Sequence, residues 1–182
     1  MWPDGGGDAR RARSATLISV MSKFLAWPAL CAAATLLAVT ACGGSTAEFT
    51  LSDASVDSNH PCTSGASNAP YNVGATVAGH NGTSGSVSIS AVSAVMTLAA
   101  VHGGWLETVG YRYEAANVVF TPDRIGAGSS ATFKVTIPSA CTNLSKLPGS
   151  LSYGDYSVSF KFTTSAGTFT VVSRNRHRII TF

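Results

Sequence analysis

The chain has 182 residues, 45% of them hydrophobic and 12% charged, with a formal net charge of +3. That length suits one domain with extensions, and the charge is unevenly placed. Arg10, Arg11, Arg13 and Lys23 lie near the N-terminus, whereas eight basic and seven acidic residues follow Cys42; a body so nearly neutral gives a nucleic-acid partner no global electrostatic support.

Secretory signals combine a basic start, an apolar middle and a small-residue cleavage region. Met21-Ser22-Lys23 followed by Phe24 to Ala41 supplies these in order, so residues 21–41 read as a signal peptide and residues 1–20 as an extension upstream of the true start. Arg10-Arg11 lacks the apolar residues that follow the pair in twin-arginine signals. Phe24 to Ala41 is 18 residues long, at the lower edge for spanning a bilayer; it contains Pro28 and has no basic flank after Ala41, which argues against a transmembrane anchor. Cleavage by ordinary signal peptidase is a third alternative and leaves Cys42 a plain thiol.

At Val39-Thr40-Ala41-Cys42 the segment resembles the lipobox of bacterial lipoproteins, in which an aliphatic residue and two small residues precede a cysteine. Val39 stands where leucine is commonest, and the resemblance covers only the leader. It implies that Cys42 receives a diacylglyceryl group and becomes the new N-terminus. The protein is then expected to sit in the cell envelope, anchored to a membrane and facing the periplasm or exterior.

Residues 42–69 are dominated by Gly, Ser, Ala, Asn and Asp, a composition that does not offset its own ordering entropy. They read as a flexible tether, within which Glu48-Phe49-Thr50-Leu51 is a candidate short strand. Cys31 leaves with the leader, so Cys62 and Cys141 remain in the body. In an oxidising compartment they are expected to pair, a closure worth ~4 kcal/mol in the chain-entropy model; the alternative is two buried free thiols. No CxxC and no nearby histidine pair supports a metal site.

From residue 70 the apolar period becomes two, as in half-buried strands. Tyr71, Val73, Ala75 and Val77 alternate before a turn at Asn81-Gly82, and Val87 and Ile89 resume. Ala91 to Val101 suits a strand or a helix; continuity with Val87-Ile89 and the stop at Gly103-Gly104 favour the strand. Val118-Val119-Phe120 ends at Pro122, as an edge strand would. Ala131, Phe133, Val135 and Ile137 alternate up to Pro138, Leu147-Pro148-Gly149 marks a loop, and Tyr156, Val158, Phe160 and Phe162 form the strongest apolar face. Ser165-Ala166-Gly167 turns into Thr168 to Val172, and Ile179-Ile180 extends that strand or forms a terminal one.

Seven or eight strands and no convincing helix predict an all-β, antiparallel β-sandwich over residues 70–182. Gly154-Asp155-Tyr156-Ser157-Val158 resembles the late strand of immunoglobulin-like and fibronectin-type domains. There a tyrosine bonds backbone at the sheet corner, which the resemblance assigns to Tyr156 or else Tyr153. Cys62 and Cys141 depart from the antibody pattern, since they read as loop residues beside strands with no packed tryptophan between them. A small closed barrel is the alternative.

Catalysis needs convergent groups, and the sequence offers few. No serine lies in Gly-x-Ser-x-Gly, and His60, His80, His102 and His177 lack partners at a telling spacing. No Gly-rich phosphate loop opens a helix, and no cofactor is implied. Glu107, Glu114 and Asp123 are the carboxylates from which a glycosidase pair would be drawn. Two features point instead to binding. Trp105 in His102-Gly103-Gly104-Trp105-Leu106, with Tyr111 and Tyr113, places aromatics in a loop-like region, where they stack on sugars or anchor proteins or else cap the core. Arg174, Arg176 and Arg178 share one face if they lie in a strand, with His177 opposite; they would meet an anionic surface or protect a terminal edge. Asn81-Gly82-Thr83 and Asn143-Leu144-Ser145 match glycosylation sequons and read as turn residues. The expectation is a non-enzymatic envelope lipoprotein with a binding or structural domain. The alternatives are a carbohydrate-binding module or glycan-active enzyme, and an accessory subunit of an envelope protein complex.

Overall fold

The computed structural model describes residues 48–143 and 151–182. The leader, Cys42 and the loop at Leu147-Pro148-Gly149 lie outside the described residues. Among those described there are eleven strands: β1 (Phe49–Val56), β2 (Asn59–Cys62), β3 (Ala69–Asn81), β4 (Val87–His102), β5 (Arg112–Glu114), β6 (Val119–Thr121), β7 (Arg124–Ile125), β8 (Ser130–Cys141), β9 (Ser152–Thr164), β10 (Gly167–Val172) and β11 (His177–Thr181). The expected seven or eight correspond to all but β2, β5 and β7, which have two to four residues and too few apolar ones to alternate; β6, equally short, is marked by Val118-Val119-Phe120 before Pro122.

Two sheets pack face to face. One has the order β1-β3-β8-β6; the other runs β2-β11-β9-β4-β5, with β10 also paired to β9 and β7 to β4. Pairing is antiparallel except that β2 runs parallel to β11. The all-β sandwich expected from the alternation is the fold. Val73, Val77, Phe133, Val135 and Ile137 from the first sheet meet Met96, Leu98, Val158, Phe160 and Phe162 from the second, each at most 2% exposed. Each such side chain contributes roughly 1.5–3 kcal/mol by leaving water. Phe133 and Phe162 touch across the layers, centroids 5.0 Å apart and tilted by 52°, the arrangement that ring quadrupoles favour.

Ala91 to Val101 is strand. β4 pairs with β9 through two register shifts, between Ile89 and Ala91 and between Leu98 and Ala100. These bulges break the alternation and produce the helix-like spacing.

The tether expectation is corrected from Phe49 onward. β1 pairs with β3 along Phe49 to Val56 and buries Phe49, Ala54 and Val56, while β2 carries Cys62 into the core. Its signal is hidden because most of its side chains are small and polar, and because a bulge at Asp53, with φ of 50°, resets which residues face inward. Backbone pairing supplies the stability that composition withholds.

The two cysteines are bonded, with Cα atoms 6.0 Å apart. They are not loop residues, as expected, but the last residues of β2 and β8, so the bridge ties one sheet to the other. Neither Tyr156 nor Tyr153 makes the corner bond to backbone. Tyr156 points into the sandwich, and Tyr153 stacks with His102 at a centroid distance of 4.9 Å.

Candidate functional site

β4 ends at His102, and the chain loops from Gly103 to Tyr111 before returning as β5. Gly103, at φ of 72°, and Gly110, at φ of 96°, hold left-handed backbone that glycine adopts most readily. The loop is tied back to the sheet: Leu98 N donates to Tyr111 O at 2.9 Å and Gly110 N to Leu98 O at 2.8 Å. Tyr113 pairs with Met96 and its hydroxyl donates to Pro138 O at 3.2 Å, reaching the opposite sheet.

This loop roofs a cavity of about 690 Å³ between the ends of the two sheets. Trp105, Leu106, Glu107, Tyr111 and Tyr113 line one side, Met96, Tyr156, Ile179 and Thr181 the second-sheet side, and Ser139 to Asn143 the end of β8. The volume falls within the roughly 300–1,000 Å³ usual for small-molecule sites. The three aromatic candidates, Trp105, Tyr111 and Tyr113, are therefore brought together on one cavity. Tyr156, Met96 and Ile179 carry no site signal in the sequence, because their strand alternation is indistinguishable from that of ordinary core residues.

Trp105 lies flat on the backbone of β9. A Cβ added at Gly154 would stand 2.6 Å from Trp105 Cε2, so the absence of a side chain there makes the seat for the indole. Burial pushes the Tyr156 phenol up to about 12, an effect that the adjacent Trp105 indole partly offsets and the Glu107 carboxylate reinforces. The two rings interact without completing a hydrogen bond: Trp105 Nε1 is buried and has no partner. Such orphaned donors are rare in folded proteins.

The arginines do not form one face. Arg174 precedes β11 in a bend and pairs with Asp53 at 3.0 Å, both exposed. Arg178 bonds Asp155 through Nε at 2.7 Å and Nη2 at 3.0 Å, with its guanidinium 3.9 Å from the Tyr153 ring centroid. Arg176 lines a shallow groove with Arg178, Asp155 and Ser58. β11 lies between β2 and β9, so edge protection is corrected too: the strand has no free edge. The shared face required a strand through all three arginines, and residues 173–176 instead form a bend before β11.

His177 is buried, opposite Arg178 as expected. Its Nδ1 lies 2.7 Å from Asp57 O, which can only accept, so Nδ1 carries the proton and Nε2 accepts from the Tyr71 hydroxyl at 3.2 Å. Burial lowers the His177 pKa and raises that of Tyr71 to about 12. His60 stacks on Tyr71 at 3.7 Å. His80 Nδ1 lies 3.0 Å from Ser130 Oγ. No three of His, Cys, Asp and Glu converge to hold a metal among the described residues. Both sequon asparagines are buried: Asn81 gives its Nδ2 to Gly85, Ile125 and Gly126 carbonyls, and Asn143 to those of Cys62 and Phe182.

No family model matches the chain, and no curated protein matches it. Solved structures with similar strand arrangements include AggA, the major subunit of aggregative adherence fimbriae type I from Escherichia coli (TM-score 0.34, 10% identity, 74% of this chain and 96% of that one). Another is the PapD-like domain 7 of human CEP192 (TM-score 0.27, 11% identity, 74% and 84%). The Vibrio cholerae VesB protease is matched over 31% of its length and 70% of this chain, with a TM-score of 0.26 and 12% identity. These likenesses concern strand arrangement alone.

Proposed function

We propose that this chain is a non-enzymatic binding protein of the bacterial cell envelope, anchored through lipid on Cys42, whose ligand site is the Trp105 cavity. The observation that carries the binding reading is the convergence of Trp105, Tyr111, Tyr113 and Tyr156 on one cavity of small-ligand size. Glycan cleavage is the less favoured reading for a geometric reason. Among the described lining residues Glu107 is the one carboxylate. Glu114 lies in β5, and Asp123 sits at the far end of β4, where its carbonyl accepts from Ile89 N; a two-acid mechanism needs both within one site.

Saturation-transfer NMR on the full chain tests the reading with four probes: a neutral disaccharide, choline, octanoate and a neutral tripeptide. At least one is expected to receive saturation, and Trp105→Ala to abolish it. Transfer that survives Trp105→Ala, or silence from all four probes, contradicts the binding site. The anchor is tested by palmitate labelling in bacteria, expected for the wild type and lost in Cys42→Ala; a wild type that stays unlabelled contradicts it.

A further inference from the structure

The loop over the cavity is fastened at its two ends and at one side chain between them. β4 ends its pairing with β9 at His102 and Tyr153. The returning end is tied through Leu98, whose N–H and carbonyl bond Tyr111 and Gly110. Between these points Gly103 to Glu107 make no hydrogen bond and no ion pair among the described residues. Leu106 and Val109 are 59% and 58% exposed, and Trp105 alone of residues 103–110 packs its side chain on the core.

That one fastening is weakened by its own chemistry. The indole gains by leaving water on the backbone of Gly154, but its N–H is buried without a partner, and the cost of an unpaired donor offsets much of that gain. Nε1 lies against Gly154, 2.9 Å from where a Cβ would stand there, so it meets water only when the loop lifts. Gly103 and Gly110 bracket the segment in left-handed backbone, at φ of 72° and 96°, where a residue without a side chain turns most freely. Segments with few backbone bonds and few apolar contacts are those that open locally while a fold persists.

We infer that residues 103–109 form a lid on the cavity, latched by the Trp105 indole alone and opening about Gly103 and Gly110 while the sandwich stays folded. The lid rests on the binding reading above for its use, since the ligand cavity is what it uncovers; its motion is measurable without any ligand. Lifting it carries Trp105 off Gly154 and hydrates the indole N–H.

Hydrogen exchange by ¹⁵N NMR in the full chain carrying Trp2→Phe and Trp27→Phe tests this, with the Trp105 indole N–H set beside the amides of Phe160 and Phe162, whose side chains are fully buried. The indole is expected to be at least about tenfold less protected than those amides, at a rate unchanged by urea up to about 1 M, as local opening requires. An indole rate that climbs with urea in step with the two amides means that only global unfolding frees it, and overturns the lid. Gly103→Ala sets a methyl against Ser152 Oγ and 3.2 Å from Leu151 O, and strains the left-handed hinge. Opening relieves that strain, so indole exchange is expected to speed up about tenfold. Gly110→Ala has open space around its new methyl and strains the hinge alone; it decides the matter if Gly103→Ala melts early. An indole rate unchanged in Gly110→Ala while the Phe160 and Phe162 amides speed up places the motion elsewhere and overturns the hinged lid. Local opening together with silence from all four binding probes contradicts the binding reading and leaves the lid standing.

Discussion

Removing the Cys62–Cys141 bridge, by Cys62→Ala with Cys141→Ala, is expected to cost more stability than any other small change to the body. The bridge spans 79 residues of sequence and joins the ends of β2 and β8, which belong to different sheets. Releasing a loop of that size returns about 4.5 kcal/mol of chain entropy to the unfolded state at 25 °C. Both sulfurs are buried, Cys62 at 0% and Cys141 at 6% exposure, so each truncation adds roughly 1 kcal/mol for the space left behind. A total of about 6–7 kcal/mol corresponds to a melting temperature lower by roughly 20–25 °C for a domain of this size. Differential scanning calorimetry of the wild type, oxidised and reduced, and of the double variant reads this directly. Melting temperatures within about 5 °C of one another would refute the entropic reasoning and the assignment of the bridge as the tie between sheets.

Other consequences are local. Gly154→Ala forces a methyl against the Trp105 indole; a loss of about 1–3 kcal/mol in urea unfolding is expected, together with a red shift of Trp105 emission in a chain carrying Trp2→Phe and Trp27→Phe, and an unshifted spectrum would refute the close seat. Asn175 clamps β1 to the chain before β11, its Oδ1 accepting from Ser55 Oγ at 3.1 Å and Val56 N at 3.0 Å while Nδ2 donates to Val56 O at 2.6 Å. Asn175→Ala is expected to cost about 2–4 kcal/mol and to accelerate amide exchange in β1 first; uniform exchange would refute the clamp. His177 has a folded-state pKa lowered from its ordinary 6.5, so below that pH the unfolded chain binds a proton that the folded one refuses. Stability is therefore complete above pH 6.5 and falls as pH drops below it, steeply in the wild type and less so in His177→Asn, as measured by urea midpoints from pH 7.5 to 5. Equal slopes would refute the buried neutral imidazole.

The parts of the fold that were legible are those where one face is buried without interruption. Val73 to Val77, Phe133 to Ile137 and Tyr156 to Phe162 each hold a strict alternation, and the structure makes them β3, β8 and β9. β1 was illegible past Leu51 because the bulge at Asp53 changes the inward set, and its stability comes from pairing with β3, a partner no local pattern reveals. The alternation of Arg174, Arg176 and Arg178 suggested a strand face, yet the Asn175 bonds to β1 hold that stretch in a turn. At the cavity, Trp105, Tyr111 and Tyr113 were visible because large aromatics in a glycine-rich loop lack an obvious core. Tyr156 and Met96 were not, since only the way the two sheet ends part turns these core residues into a wall.

The Trp105 indole N–H offers the most direct measurement of the central claim. In a ¹⁵N-labelled full chain carrying Trp2→Phe and Trp27→Phe, Trp105 supplies the one indole resonance, since the chain has three tryptophans. Addition of whichever of the four probes receives saturation is expected to shift that resonance, because a ligand in the cavity packs against the Trp105 ring that lines it. An indole resonance that stays in place while that probe binds would contradict the account.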